Sequence, residues 1–336
     1  MRIALDALGG DLGPLATVDG AYQYVKENPA DTVVLTGDTE KIREELKKIP
    51  AAYHKNLPIV HAPENISMSE SPTEAVKKKK ASSMVVGLTL QKNGEADGFV
   101  SAGNTGAQLA ASLLILGRIP EVKRPVIGTF LPSEKGMVFV VDAGANVDSK
   151  PLHLLQFAIM GNIFVSQVFG KKSLKIGLLS IGEEPTKGNE TTLVTHKLFK
   201  EHLPNFYGNV EGGDILKCTT DIVICDGFVG NITLKMVESV MGVITNFLKD
   251  HVSGKPLRSL GSFLMQPAFR ELKNNFNYEV YGGVPLLGVN GISIICHGKS
   301  TALAIKNALR VARDMKEKEV NLHIEQQLKA EKIVET

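Results

Sequence analysis

The stretch VSAGNTGAQLAA, residues 100–111, decides how the rest of the chain is read. An apolar run, GFVSA, stops at Gly103-Asn104-Thr105-Gly106, and a small-residue helical pattern begins at once. Strand, glycine turn and helix start in direct succession point backbone N–H groups at an anion. The turn is not a GxGxxG dinucleotide fingerprint, and no Gly-Lys-Ser/Thr follows it as a P-loop requires. The stretch therefore reads as one unit of an α/β protein, with a small anion as the candidate ligand of its turn.

Working outward, short β-branched runs recur at 2–7, 32–37, 58–63, 98–103, 125–131, 137–144, 175–180, 221–227 and 293–298. Helical patterns separate most of them, among them LATVDGAYQYVKE, the long SPTEAVKKKKASSMVVGLTLQKNG and HLLQFAIMGNIFVSQVFG. Continuous apolar strands alternating with helices predict a mainly parallel sheet covered on both faces. No linker or repeat divides residues 1–336, so a single elaborate domain is expected. The departure is 230–278, where two helical stretches follow each other around HVSGKP and predict a helical hairpin inserted between strands.

With 336 residues, 43% of them hydrophobic, the chain can bury a large core. Its 38 basic and 36 acidic residues leave a net charge of +2, so no overall field favours a nucleic-acid partner. Without tryptophan and with 6% aromatic residues, it is also poorly supplied with stacking platforms for bases. Cys218, Cys225 and Cys296 share no metal-ligand spacing, and a reduced, cytoplasmic protein is expected. The opening MRIALDALGG starts as a strand rather than a leader, and no run of about 18 apolar residues predicts a membrane span.

In open α/β sheets ligands gather at the carboxyl ends of strands. Five strand ends here carry glycine and small polar groups: 101–106, 142–146, 181–190, 226–231 and 297–300. Asp6 and the turn from Gly9 to Pro14 add to them. All five are expected on one edge of the sheet. Asn104, Asn189 and Asn231 stand at helix starts, either as ordinary N-caps or as donors around an anion or a carbonyl oxygen. Lys187, between Pro185 and Gly188, and Lys299 can neutralise such an anion, and Lys235 lies one turn inside a helix from the same edge.

His297 closes an apolar strand before Gly298-Lys299-Ser300, either as a strand-end residue bonded to a carbonyl or as a proton carrier or phosphate donor. Asp226 either caps its turn or orients a donor or acts as a base. Cys225 and Cys296 precede these two residues, and strand alternation sends their side chains to the opposite face as core filler. No carboxylate spacing suits a metal, and no GxSxG elbow suits a serine nucleophile.

Taken in order, DALGGDLGP, SPTEAVKKKKASSM, SAGNTGA, DAGANVDSKP, IGEEPTKGNE, DGFVGNITLK, YGGVPLLG and HGKS run nearly the whole chain. In that order they resemble the bacterial phosphate acyltransferases of phospholipid synthesis, the acyl-acyl-carrier-protein:phosphate transacylases of the PlsX family. The resemblance implies a layered α/β/α fold shared with phosphotransacetylases and the isocitrate and isopropylmalate dehydrogenases. It also implies a homodimer and no metal or nucleotide cofactor. The implied reaction joins inorganic phosphate and acyl-acyl carrier protein to give acyl phosphate and free carrier. The acyl phosphate then feeds a downstream membrane glycerol-phosphate acyltransferase.

Phosphate is itself the nucleophile in that reaction, which agrees with a sequence offering none. The site must hold the anion, align it with the thioester carbonyl and stabilise the oxyanion, each such donor being worth about 3–4 kcal/mol. Phosphate holding falls to Ser101, Gly103, Asn104, Thr105, Gly106, Lys187 and the His297-Gly298-Lys299-Ser300 loop, with Asn189 beside them. Oxyanion stabilisation falls to Asn231 and the amides after Asp226, including Gly230. A phosphotransacetylase acting on acyl-coenzyme A shares the implied fold. So does a decarboxylating dehydrogenase, but its carboxylate cluster and nucleotide site are not found. A carrier-protein docking scaffold is the non-enzymatic alternative.

Two further expectations concern surfaces. Lys77, Lys78 and Lys80 lie in a four-lysine run within a helical pattern, with Lys77 and Lys80 on one face, and suit a small acidic carrier protein. In the hairpin, Leu257, Leu260, Phe263 and Leu264 form one apolar face flanked by Lys255 and Arg258. That pattern suits peripheral attachment to an anionic membrane surface. Met236, Val240, Val243, Phe269 and Leu272, nearer the sheet, are expected to form a dimer seam.

Overall fold

The computed structural model describes residues 1–252, 256–267 and 281–331. Among the described residues the strands are β1 (Arg2–Asp6), β2 (Thr32–Gly37), β3 (Ile59–His61), β4 (Gly98–Ser101), β5 (Val126–Ser133), β6 (Gly136–Val141), β7 (Ile176–Leu179), β8 (Phe206–Val210), β9 (Ile222–Ile224), β10 (Val284–Leu287) and β11 (Ser293–Ile295). They form one continuous sheet in the order β3-β2-β1-β4-β11-β10-β5-β6-β9-β7-β8. The helices in the first half are α1 (Pro14–Glu27), α2 (Thr39–Leu46), α3 (Pro72–Lys78), α4 (Ser83–Lys92), α5 (Thr105–Ile115) and α6 (Pro151–Phe169). Those that follow are α7 (Glu190–His202), α8 (Gly212–Lys217), α9 (Gly227–Val252), α10 (Pro256–Leu264), α11 (Ala302–Glu317) and α12 (Val320–Glu331).

Alternation along each strand sorts the core into two layers. Ile3, Leu5, Val100, Phe139, Val141, Ile222 and Ile224 meet helices α1, α6, α11 and α12 on one face. The residues between them face the other way. Ala4 and Phe99 meet α3, α4 and α5, while Val140 and Val223 meet α8 and the root of α9. Between these two groups of helices lies a small apolar strip of Ile127, Ala143, Leu286, Val289 and Ile295. The expected α/β/α layering is what the chain adopts.

The strand directions differ from expectation in the middle of the sheet. From β3 to β11 the pairing is parallel, and from β6 to β8 it is parallel again. Between them β10 runs antiparallel to both β11 and β5, and β5 runs antiparallel to β6. Three reversals leave β6, β9 and β7 pointing opposite to β1, β4 and β11. The five polar strand ends therefore lie on two opposite edges, and the expectation of one shared edge is corrected. The sequence carried a usable sign, because two strands joined through Glu134-Lys135 have room only for an antiparallel turn.

Other boundaries shift for local reasons. The long helical stretch after Ser71 is two helices, α3 and α4, broken at Lys79–Ser82, where the Ser82 hydroxyl caps the second by accepting from Val85 N. Lys80 is thus outside any helix, and the i, i+3 relation expected for Lys77 and Lys80 does not hold. By length and composition α6 and α9 could each cross a membrane; α6 lies mostly inside the protein, whereas α9 is largely exposed. Helices α9 and α10 form the start of the expected hairpin. Lys255, Phe269 and Leu272 lie outside the described residues, as do the side chains of Leu257 and Leu260.

Candidate active site

The first group of polar loops lies at the ends of β1, β4 and β11. Asp6, 1% exposed, accepts hydrogen bonds from Ser101 Oγ at 2.7 Å and Leu8 N at 3.2 Å. Ser101 Oγ in turn accepts from Gly103 N at 2.9 Å, so the glycine turn is drawn onto the buried carboxylate. Gly9 has to be glycine, because a Cβ there would stand 2.8 Å from Asp6 Oδ2 and 2.9 Å from Gly103 N. Asp11 N donates to Gly298 O at 2.7 Å and brings the β11 loop alongside.

Asn104 caps α5, its Oδ1 accepting from Ala107 N at 3.0 Å. Its Nδ2 donates to the carbonyls of Ser67, Met68 and Glu70 at 3.2, 3.2 and 3.4 Å. The polar atoms of its side chain thus hold the 67–70 segment over the turn. The first N–H groups of a helix have no intrahelical partner, and Thr105 and Gly106 stand at that position in α5. Helix α11 starts on the same edge at Thr301, whose side chain makes no capping bond. Ser300 beside it is 3% exposed, and its Oγ has no hydrogen-bond partner among the described residues. Lys299 N donates to His297 Nδ1 at 3.1 Å, which sets the exposed imidazole over this turn.

The second group is built on Asp142 at the end of β6, which is fully buried. Oδ1 accepts from Gly144 N and Ala145 N at 2.9 Å each, and Oδ2 from Asn146 N at 2.7 Å and Asn146 Nδ2 at 2.9 Å. The loop so wrapped accepts Gly227 N on Asn146 O at 2.7 Å and thereby fixes the start of α9. Gly230 has no room for a side chain, as a Cβ would fall 1.8 Å from Asp142 O. Asp226 caps α9 by accepting from Val229 N at 2.9 Å, and Asn231 packs against Gly144.

A cavity of about 570 Å³ opens beside this root, lined by Val147, Ser180, Ile181, Asn189, Asp226 and Val229. Lys187, exposed on the loop behind it, is held at both backbone ends: its N–H donates to Glu184 O at 3.0 Å, and Ser180 Oγ donates to its carbonyl at 3.2 Å. The side chain of Asn189 is engaged as an N-cap, accepting from Thr192 N at 2.9 Å. Ile181 and Val147 are 80% and 60% exposed and form an apolar lip beside Ser180, Asn189 and Asp226.

Within one chain, then, Ser101, Gly103, Asn104, Thr105, Gly106, His297, Gly298 and Ser300 stand together. Lys187, Asn189, Asp226, Gly230 and Asn231 form the other group. What links them is the apolar strip on the shared face. Leu109, one turn into α5, and Ala145, in the Asp142 loop, both pack against it.

Burial raises the carboxyls of Asp6 and Asp142 above the usual carboxylate range, against the hydrogen bonds each accepts. Burial also raises the Cys225 thiol, and it raises that of Cys296 to about 12, so neither supplies a thiolate near neutrality. The polar residues that sequence reasoning left without a role are Asp6, Asp142, Asn146 and Ser180. An aspartate at a strand end with glycine two or three residues further on is the readable sign for the first two, through the turn its carboxylate nucleates.

A family model described as "Fatty acid synthesis protein" matches residues 1–323. The phosphate acyltransferase of Pelotomaculum thermopropionicum is 48% identical over 314 residues, covering 94% of this chain and 91% of that protein. The phosphate acyltransferase of Desulforamulus reducens is 47% identical over 335 residues, covering 100% and 99%. Among solved structures, a phosphotransacetylase from Streptococcus pyogenes superposes with a TM-score of 0.63 at 18% identity, covering 94% of each chain. That last likeness is one of fold alone.

Asp6 gives a pH test. Its carboxyl holds its proton more tightly in the folded chain than in the unfolded one. The stabilisation this brings is full below the ordinary aspartate pKa of about 3.9 and is lost as pH rises through the raised value. Asp6→Asn keeps the shape without titrating. Its melting temperature relative to wild type is expected to be higher at pH 8 than at pH 4, measured by calorimetry. A difference that does not change with pH would show that burial does not shift Asp6.

Proposed function

The chain belongs to the phosphate acyltransferase family of fatty acid synthesis proteins, and from that premise we propose how its two groups of loops carry out the transfer of an acyl group to phosphate. Phosphate is held on the first edge by the Thr105 and Gly106 amides, Ser300 Oγ and the start of α11, with His297 and Lys299 balancing its charge. The thioester carbonyl of the acyl carrier is presented from the second edge, where Asn231 and the first amides of α9 receive the developing oxyanion. Lys187 meets the phosphate from that side. The apolar strip under Leu109 and Ala145 floors the path between them. The observation that carries this reading is the buried Ser300 hydroxyl, unpartnered among the described residues, at a helix start without a side-chain cap on the same edge as the Asp6-anchored turn.

The chemistry needs no side-chain nucleophile. A phosphate oxygen attacks the thioester carbon, the C–S bond breaks, and the carrier thiol leaves with the electron pair as acyl phosphate forms. The chain's part is alignment and charge, which in a preorganised site amounts to a few kcal/mol per donor.

The acyl group arrives on a carrier protein that docks near α3. Lys77 and Lys80 are exposed there, whereas Lys78 pairs with Glu74 at 3.4 Å and Lys79 with Glu70 at 2.8 Å. Because α3 packs against α5, a carrier on this patch stands beside the Asn104 turn. The chain works as a homodimer, with the exposed Met236, Val240 and Val243 of α9 in the seam. It sits in the cytoplasm and attaches peripherally to the membrane through the hairpin, where Phe263 and Leu264 are 64% and 71% exposed. Release there delivers the acyl phosphate to a membrane acyltransferase.

Phosphate-dependent release of carrier thiol from acyl-acyl carrier protein is the direct assay. Lys187→Ala, Asn231→Ala and His297→Ala are each expected to slow it by about 10²–10³-fold while melting near the wild-type temperature. All three staying within a few-fold of wild type would sink the assignment. Faster release from acyl-coenzyme A than from the carrier would make the chain a phosphotransacetylase instead.

Charge reversal at Lys77→Glu with Lys80→Glu is expected to raise the KM for acyl carrier protein several-fold at low salt, with the gap closing as salt screens it. A KM that matches wild type at every ionic strength would leave these lysines as solubilising charges.

Co-sedimentation with anionic liposomes reads the hairpin. Phe263→Glu with Leu264→Glu is expected to stay in the supernatant where wild type pellets, while remaining dimeric. Equal pelleting, or a monomeric mutant, would place these side chains in the seam.

A further inference from the structure

Lys187 rides on an exposed loop, yet one buried side chain reaches that loop from the next strand. Asn209, on β8, is 3% exposed. Its Nδ2 donates to Glu184 O at 2.8 Å, the same carbonyl that accepts Lys187 N at 3.0 Å. Its Oδ1 faces His196 Nδ1 at 2.9 Å, and the His196 ring stands edge-on to Phe206 with centroids 5.1 Å apart. A carbonyl can only accept, so the amide nitrogen must face Glu184; the amide oxygen then faces His196, whose Nδ1 must carry the proton. The chain of bonds runs from α7 through β8 to the loop and determines each donor in turn.

We propose that Asn209, with its amide oriented by His196, is a positioning residue that sets where the Lys187 ammonium stands against phosphate. The inference rests on the reading of Lys187 as a phosphate-holding residue. Residues 183–187 are exposed and bring no buried apolar side chain of their own, so their placement depends on backbone bonds. Ser180 Oγ holds the carbonyl of Lys187, and Glu184 O holds its N–H. Asn209 ties Glu184 O to the sheet. Without that tie the turn from Glu184 to Lys187 keeps its internal shape but loses its fixed place, and small misplacements of a binding group carry large kinetic penalties.

The test is steady-state kinetics of carrier-thiol release with phosphate varied at saturating acyl carrier, and the reverse. Asn209→Asp keeps the volume and the bond from His196 but presents an acceptor to Glu184 O. It is expected to raise the phosphate KM on the order of tenfold or more, with the acyl-carrier KM unchanged. His196→Phe, which keeps a ring against Phe206 but frees the amide to turn, is expected to move the phosphate KM the same way by less. It also serves if the aspartate variant folds poorly. In a Lys187→Ala background, Asn209→Asp is expected to add nothing, because it acts through Lys187. A phosphate KM unchanged in both variants while Lys187→Ala raises it would overturn the positioning role, as would full additivity in the double mutant. If Lys187→Ala itself leaves phosphate kinetics unchanged, the reading of Lys187 falls and this inference falls with it.

Discussion

Three antiparallel pairings in succession, β11 with β10, β10 with β5 and β5 with β6, interrupt the parallel sheet, and the placement of every polar loop follows from their odd number. In a wholly parallel sheet all carboxyl ends share one edge and a ligand can touch them together. Here β10 and the β5–β6 pair turn the sheet around, so that each half offers its own edge. What the halves share is a face. The strip between α5 and the root of α9 is where their loops approach each other, floored by Ile127, Leu286 and Ile295 rather than by polar groups. A reaction between a phosphate and a greasy acyl thioester suits such a floor, polar at its margins and dry in the middle.

Each edge is organised by one buried aspartate. Asp6 holds the turn after β4 through Ser101, and Asp142 gathers three backbone amides and one side-chain amide of its own loop. Burying a carboxylate is costly unless donors surround it. That cost is tolerated here for what it determines, since the loops carry the candidate site residues and have little apolar packing of their own. Crowding does the same at the glycines. With no space for a Cβ at Gly9 or Gly230, the backbone closes directly on the carboxylate or its carbonyl.

Much of this was legible in residue order. The runs that became β1, β2, β4, β6, β9 and β11 are near-continuous apolar segments, as strands buried on both faces must be, and α1 and α6 show as long apolar patterns. Strand direction was not legible, because a strand's composition is the same whichever way it runs. YGGVPLLG, with its glycines and a proline, did not announce β10, and FYGNV, half exposed, did not announce β8. Candidate residues were readable as types at strand ends. Whether an asparagine caps a helix, staples a distant segment or stays available depends on what folds over it. For Asn104 that is the 67–70 segment, thirty-four to thirty-seven positions earlier in the chain.

The crowding at Gly230 has a mechanical side. Helix α9 spans 26 residues and is seated at its root against the Asp142 loop with no slack between them. A rod of that length reaches roughly 39 Å, so a one-degree tilt at the root swings the far end by roughly 0.7 Å. The lever works in both directions. Whatever grips the outer end of α9 has a long arm on Asn231, and the root resists through an incompressible backbone contact at Gly230 together with the packing of Leu234 and Val237.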